Sequence, residues 1–238
     1  MSHIHLPDGV LPVWLWVSGF IIAILVGAIL FRFVKKEDLA RRLPLLGMMA
    51  AAMVLGASVE IVPIAYHVNL TVISGILLGP SLIFLATLVV NVILGLFGHG
   101  GITVIGLNTL VLSIEGILGY FLFRLFWSLL RRLTPAIFLA TFLALFCSTL
   151  SMIGVVSLGT PHYEELIHQE GKGLFEFHFL KEKEDHQEDV AENKVNLKRF
   201  IAIVLPLGFI GWMMEGVITT LIARYIHRLR PDLLRLEG

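Results

Sequence analysis

Six long runs without a single Asp, Glu, Lys or Arg dominate this chain: residues 11–30, 43–58, 61–98, 102–114, 133–160 and 200–214. About 18 or more predominantly apolar residues suffice for a helix across the roughly 30 Å hydrocarbon core of a bilayer. A soluble domain carries about 25% charged residues. Here the figure is 15%, and the charges are clustered between the apolar runs. The fold class that follows is an all-α polytopic membrane protein. The single cysteine, Cys147, lies inside one run, so a disulfide framework and a cysteine-based zinc site are both excluded. A net charge of +0 offers no basic surface for nucleic acid.

No basic residue precedes the first run; Arg32, Lys35 and Lys36 follow it. That order fits an uncleaved first span with its N-terminus outside, because Lys and Arg concentrate in cytoplasmic loops. Residues 31–42, Arg131–Arg132 and residues 224–235 are the three short basic clusters. Placing all three inside puts the N-terminus outside and the C-terminus inside, and the number of crossings is then odd. Spans are expected at roughly 11–33, 43–65, 103–128, 134–158 and 199–224. Residues 68–98 must cross twice or not at all. One helix of that length is about 46 Å, against about 60 Å for two full crossings. Gly79-Pro80 lies near its middle, and proline disfavours helix at the residue before it. Two short or re-entrant helices hinged there bring the total to about seven segments. Irregular backbone at membrane depth must be lined by protein or water, so this region is expected to border a cavity.

This topology gathers four features on the outer side: the terminus with His3 and His5, His67, the His99-Gly100-Gly101 turn, and the loop 161–198. The loop holds ten of the eighteen acidic residues, with His162, His168, His178 and His186. Those four histidines have no metal-ligand spacing and read as surface groups.

A histidine near an α-amine offers more than its ring. The amine, deprotonated amide nitrogens and the imidazole chelate one ion in a plane, an arrangement suited to Ni(II) and Cu(II). Removal of Met1 ahead of the small Ser2 is expected, so the Ser2 amine, His3 amide and His3 ring supply three nitrogens, with His5 or His67 as the fourth. Alternatively His5 is the principal ring, with His67 opposite. Taken singly, terminal histidines are ordinarily solvated, His67 reads as an interfacial hydrogen-bonding group, and His99 reads as a turn residue.

Ionisable groups within spans are costly and are functional candidates by default. Glu60, Asn91, Asn108, Glu115 and Glu215 are the intramembrane polar residues. Glu60 lies near the outer end of its span, where it reaches water or caps His67. Glu115 and Glu215 each precede a glycine, where close helix contact is possible, and helix–helix hydrogen bonding is their expected role. Asn108 is a candidate to hold a ligating ring through an outer hydrogen bond.

Three motifs then resemble a known family. HLPDGVLP (5–12), His67 with LLGP (77–80) after it, and HGGITVIGLN (99–108) occur in the order found in the CbiM/NikM family. The closing MEGVITTLIARYI is similar to that family's last helix. These are substrate-binding membrane subunits of energy-coupling-factor (ECF) nickel and cobalt transporters. The resemblance implies a seven-helix fold and a Ni2+ or Co2+ ion held by amino-terminal nitrogens and the internal histidine. It maps the terminal histidine onto His5 and the internal one onto His67. Met1 to Ile4 precede His5, a departure from the family pattern, while Ser2-His3 recreates an amine–histidine pair two residues earlier. The metal set is therefore His3, His5, His67 and the Ser2 amine, with Asn108, Glu60 and His99 as outer candidates.

The expectation is one transmembrane domain over 1–238 in a bacterial-type cell membrane. Residues 1–10 form its extracytoplasmic metal-binding terminus and 161–198 an acidic extracytoplasmic loop. Ni2+ or Co2+ is cargo, with no permanent cofactor. No phosphate-binding G-x-x-x-x-G-K-[ST] loop occurs in these 238 residues. Partners implied by the resemblance therefore supply the energy: a transmembrane coupling subunit, cytoplasmic ATPases and a small accessory membrane subunit. Two alternatives compete. One is an intramembrane metal-dependent enzyme using His67, His99 and Glu60, for which H-E-x-x-H is missing; the other is a proton-coupled permease using Glu115 and Glu215, for which an inverted repeat is missing.

Overall fold

The computed structural model describes residues 11–32, 34, 36–58, 60–61, 66–98, 100–159 and 197–234. Seven helices are present among them: α1 (Val13–Arg32), α2 (Lys36–Ser58), α3 (Thr71–Leu78), α4 (Pro80–Leu96), α5 (Ile105–Leu130), α6 (Leu133–Gly159) and α7 (Leu197–Leu229). A 3-10 turn, Pro231–Leu234, follows α7. Five helical stretches are long and apolar enough to cross a membrane: α1, Leu39–Ser58 of α2, α5, α6 and Val204–Leu229 of α7. The bundle is helical as expected, with one addition. Strands β1 (Glu60–Ile61) and β2 (Tyr66–His67) pair antiparallel between α2 and α3.

That hairpin corrects the second span, expected over 43–65. The helix begins earlier, on the charged stretch at Lys36, and stops at Ser58. The reason is local. Val59, Ile61, Val62 and Ile64 are β-branched, and Pro63 lies among them. Such residues lose side-chain freedom in a helix and favour extended backbone, and proline pushes the residue before it the same way.

The hinge in 68–98 stands where it was expected. α3 ends at Leu78, Gly79 takes φ +81, and Pro80 opens α4. A backbone in that left-handed region suits a residue without Cβ, and proline fits a first helical position. α3 has eight residues, all buried, and at about 12 Å it spans less than half of a hydrocarbon core.

α5 is the central pillar and packs against α1, α3, α4 and α6; α7 lies on α6, and α2 lies on α4 and α3. Small residues set these crossings. A Cβ on Gly75 of α3 would run into the backbone carbonyl of Gly116 of α5. On α1 the buried residues are Leu15, Gly19, Ala23 and Gly27, one stripe at four-residue spacing. Gly19 lies against Leu107 and Gly27 against Phe84. Small residues at such spacing let membrane helices approach closely where no hydrophobic effect drives them together. The remainder of α1, including Val13, Trp14, Ile21, Ile24 and Ile29, is exposed and suits lipid.

The bundle has two distinct ends. Arg42 of α2 donates to the Leu78 carbonyl at 3.3 Å, and the 3-10 turn touches α3 and α7. With the two-residue link Arg131–Arg132 between α5 and α6, these contacts gather the three basic clusters at one end. At the other end Leu11, Leu15, Val104, Leu107 and Val156 share a buried cluster. The chain therefore leaves Leu11 toward its N-terminus at the end that also holds the start of α5.

Candidate metal centre

His67 sits on β2, half-buried. The register sets Glu60 opposite His67 and Ile61 opposite Tyr66. Both His67 and Glu60 were expected at the outer end of a helical span. The hairpin places them instead on facing strands, where residues across from each other are near neighbours. Ser2, His3, His5 and the whole terminus 1–10 lie outside the described residues, as do His99 and most of the acidic loop 161–198 with its four histidines.

After His67 the chain runs without regular structure through Val68–Leu70 and then enters α3. This segment is wedged into the bundle. Gly56 of α2 approaches the Val68 carbonyl so closely that a Cβ there would lie 2.5 Å from its oxygen. Asn69 is 2% exposed. Its amide donates to the Glu115 carboxylate at 2.5 Å, and its carbonyl oxygen accepts the Thr71 N–H at 2.9 Å. Glu115 lies about 15 Å along α5 from its first residue, so Asn69 is well below the start of that helix.

Beside this segment lies a cavity of about 10 Å³, lined by Met53, Ala57, Val68, Asn69, Thr71 and Leu112 among others. It has room for about one water. A cavity bordering 68–98 was expected from the irregular backbone, and it lies at the head of α3. Asn108, buried in the first turn of α5, stands one turn before Leu112 and two turns before Glu115. Positions i, i+4 and i+7 share one helix face, so Asn108 stands on the stripe of α5 whose later members, Leu112 and Glu115, meet the segment after His67.

Glu115 accepts from Asn69 in the non-helical segment before α3, and Ser148 of the neighbouring helix α6 is a second partner of its carboxyl. Asn69 itself was overlooked. The available signal was its place two residues before the first residue of an apolar helix, where Asn commonly bonds forward to the backbone. Glu215, on α7, is fully buried, and Gly216 after it lies against Phe138 of α6, a close contact of the kind expected.

Among the described residues no three of His, Cys, Asp and Glu converge as a metal site. His67 contributes one imidazole, and a lone imidazole is an incomplete ligand set for a transition metal. The profile of the CbiM family, described as the cobalt uptake substrate-specific transmembrane region, matches residues 5–233.

The chain belongs to the CbiM family. Its relatives include the cobalt transport protein CbiM of Geobacter sulfurreducens, 30% identical over 98% of this chain and 62% of the relative. A protein of Methanocorpusculum labreanum bearing the name of a fused cobalt transport protein, CbiMQ, is 26% identical over 96% of this chain and 36% of its own length. The chain thus spans less than two thirds of both relatives. A solved structure of a transition metal transporter superposes with a TM-score of 0.71 at 19% identity, covering 99% of this chain and 100% of the other. At that identity the likeness is one of fold.

Proposed function

We propose that this CbiM-family chain captures Ni2+ or Co2+ at the outer face of a bacterial-type cell membrane and passes it inward as the substrate-specific subunit of an ATP-driven ECF transporter. The observation that carries the reading is the place of His67: a half-buried imidazole on a hairpin let into the bundle, within a family match that covers 5–233. In this reading the N-terminal chain completes the site. Leu11 is packed with Val104 and Leu107, at the end where α5 begins. His5 lies six positions before it and His3 eight, enough chain to reach roughly 20–28 Å. The ligand set is then His67 with His3, His5 and the Ser2 amine in a planar nitrogen arrangement. Asn108, Glu60 and His99 are its outer candidates in this reading.

Residues 1–238 act as one membrane domain, with 1–10 as the metal-binding terminus and 161–198 as an acidic loop on the same outer side. The basic clusters face the cytoplasm, in keeping with the distribution of Lys and Arg in membrane proteins. Energy comes from partners: a transmembrane coupling subunit, cytoplasmic ATPases and a small accessory membrane subunit. The fused CbiMQ relative supports association with at least one further transporter component. The metal is cargo, and no permanent cofactor is needed.

Calorimetric titration of the purified full chain with NiCl2 and with CoCl2 tests the reading. Tight one-to-one binding is expected, abolished by His67→Ala and weakened by His3→Ala or His5→Ala. Binding indifferent to all three substitutions would overturn the site.

A further inference from the structure

The short segment that carries His67 into the bundle is held on its α3 side by Leu70, whose side chain packs on the core and whose carbonyl accepts from the Ser74 N–H and hydroxyl at 3.0 and 2.7 Å. Residues 68–70 belong to neither helix nor strand, so their backbone groups and position depend on other contacts. On one side the Val68 carbonyl rests against Gly56 of α2. On another the segment borders the cavity of about 10 Å³ between α2, α4 and α5. Asn69 ties it to α5. One end of its amide caps α3 at the Thr71 N–H, 2.9 Å away, and the other reaches the carboxylate of Glu115, 2.5 Å away. Both residues are fully enclosed, Asn69 at 2% exposure and Glu115 at 0%. Glu115 sits on the pillar helix α5, which contacts four of the other six helices.

We propose that Asn69 and Glu115 are positioning residues for metal capture: a buried strut from α5 that fixes the height and direction of the strand bearing His67. The inference rests on the reading of His67 as a metal ligand. Only Val68 separates Asn69 from His67, about 7 Å of chain at most, so slack at the strut passes directly to the imidazole. A planar nitrogen site tolerates little misplacement, and a metal-bound histidine owes its orientation to groups that do not touch the metal. The strut differs from an ordinary outer contact because it acts on the backbone rather than on the ring. What it requires of Glu115 is an acceptor oxygen, not a charge.

The test uses the purified full chain and the metals alone. Ni2+ and Co2+ affinity, the visible absorption of the Co(II) complex and the melting temperature of the metal-free protein are measured for Asn69→Ala, Glu115→Leu, Glu115→Gln and Thr87→Val. The last variant removes the buried Thr87–Ser113 hydrogen bond of 2.7 Å elsewhere in the bundle. Asn69→Ala and Glu115→Leu are expected to weaken binding on the order of ten- to a hundredfold and to shift the Co(II) spectrum. Glu115→Gln, which keeps an acceptor, restores both, and Thr87→Val leaves both at wild-type values even where melting falls. Wild-type affinity in Asn69→Ala overturns the strut, as does a loss in Thr87→Val equal to that in Glu115→Leu. A Glu115→Gln protein as weak as Glu115→Leu overturns the acceptor role. If wild type binds neither metal, or binds both unchanged after His67→Ala, the capture reading itself falls and takes the strut with it.

Discussion

At the scale of single residues, the structure separates glycines that are indispensable from glycines that are incidental. Gly75 has the backbone of Gly116 where a Cβ would go. Gly75→Ala must therefore push α3 and α5 apart, and neither element is a flexible side chain that could yield. Overpacking of this kind costs about 1–3 kcal/mol, read as a clear fall in melting temperature in detergent. Gly154 on α6 has nothing within 4 Å of the same position. Gly154→Ala is expected to be neutral or to stabilise by up to about 1 kcal/mol through helix propensity. A Gly75→Ala protein that melts with Gly154→Ala would contradict the packing described for α3 and α5. Both glycines look alike in the sequence, one in VISGILL and one in SMIGVVS. Only the neighbouring helix distinguishes them.

Among the elements, the α6–α7 contact depends on a cluster of rings. Trp212 of α7 meets Phe142 and Phe146 of α6 edge-on, with centroids 5.9 and 5.3 Å apart. Its indole N–H donates to the Thr149 hydroxyl at 3.2 Å. Trp212→Ala is expected to cost about 3–5 kcal/mol. Trp212→Phe keeps a ring but gives up the hydrogen bond, and should cost about 1 kcal/mol. Equal melting temperatures for the two variants would show that the ring contacts contribute little. The α3–α4 break offers a second test at this scale. Gly79 at φ +81 puts any Cβ under strain, so Gly79→Ala should destabilise by roughly 1–2 kcal/mol, again read by thermal melting.

For the molecule as a whole, the two ends of the bundle make a topological prediction. Arg132, between α5 and α6, stands at the basic end, whereas Gly98, beyond α4, stands at the end where α5 begins. After Cys147→Ser, the substitutions Arg132→Cys and Gly98→Cys should react with a membrane-impermeant maleimide from opposite faces. Arg132→Cys is expected to label only in inside-out vesicles and Gly98→Cys only in intact cells. Labelling of both from one face would overturn the expected orientation.

Much of this architecture follows from the sequence alone, for a physical reason. Uncharged stretches such as 133–160 must be helical in lipid, because unpaired backbone there is too costly, and α6 lies within one residue of that run at both ends. Gly79-Pro80 declared its own hinge, since proline and the left-handed conformation act on adjacent residues without help from the fold. The resemblance carried by HLPDGVLP, LLGP and HGGITVIGLN likewise named the family before any coordinate was needed. The second span was misjudged because hydropathy scores Val, Ile and Leu alike, while β-branching around Pro63 disfavours helix beyond Ser58. What only the tertiary structure decided is the surroundings of His67. Glu60 faces it through strand pairing, and Asn69 reaches Glu115 across forty-six residues of sequence. The Asn69–Glu115 contact has no local signature, because a hydrogen bond between distant segments depends on where the helices between them place their ends.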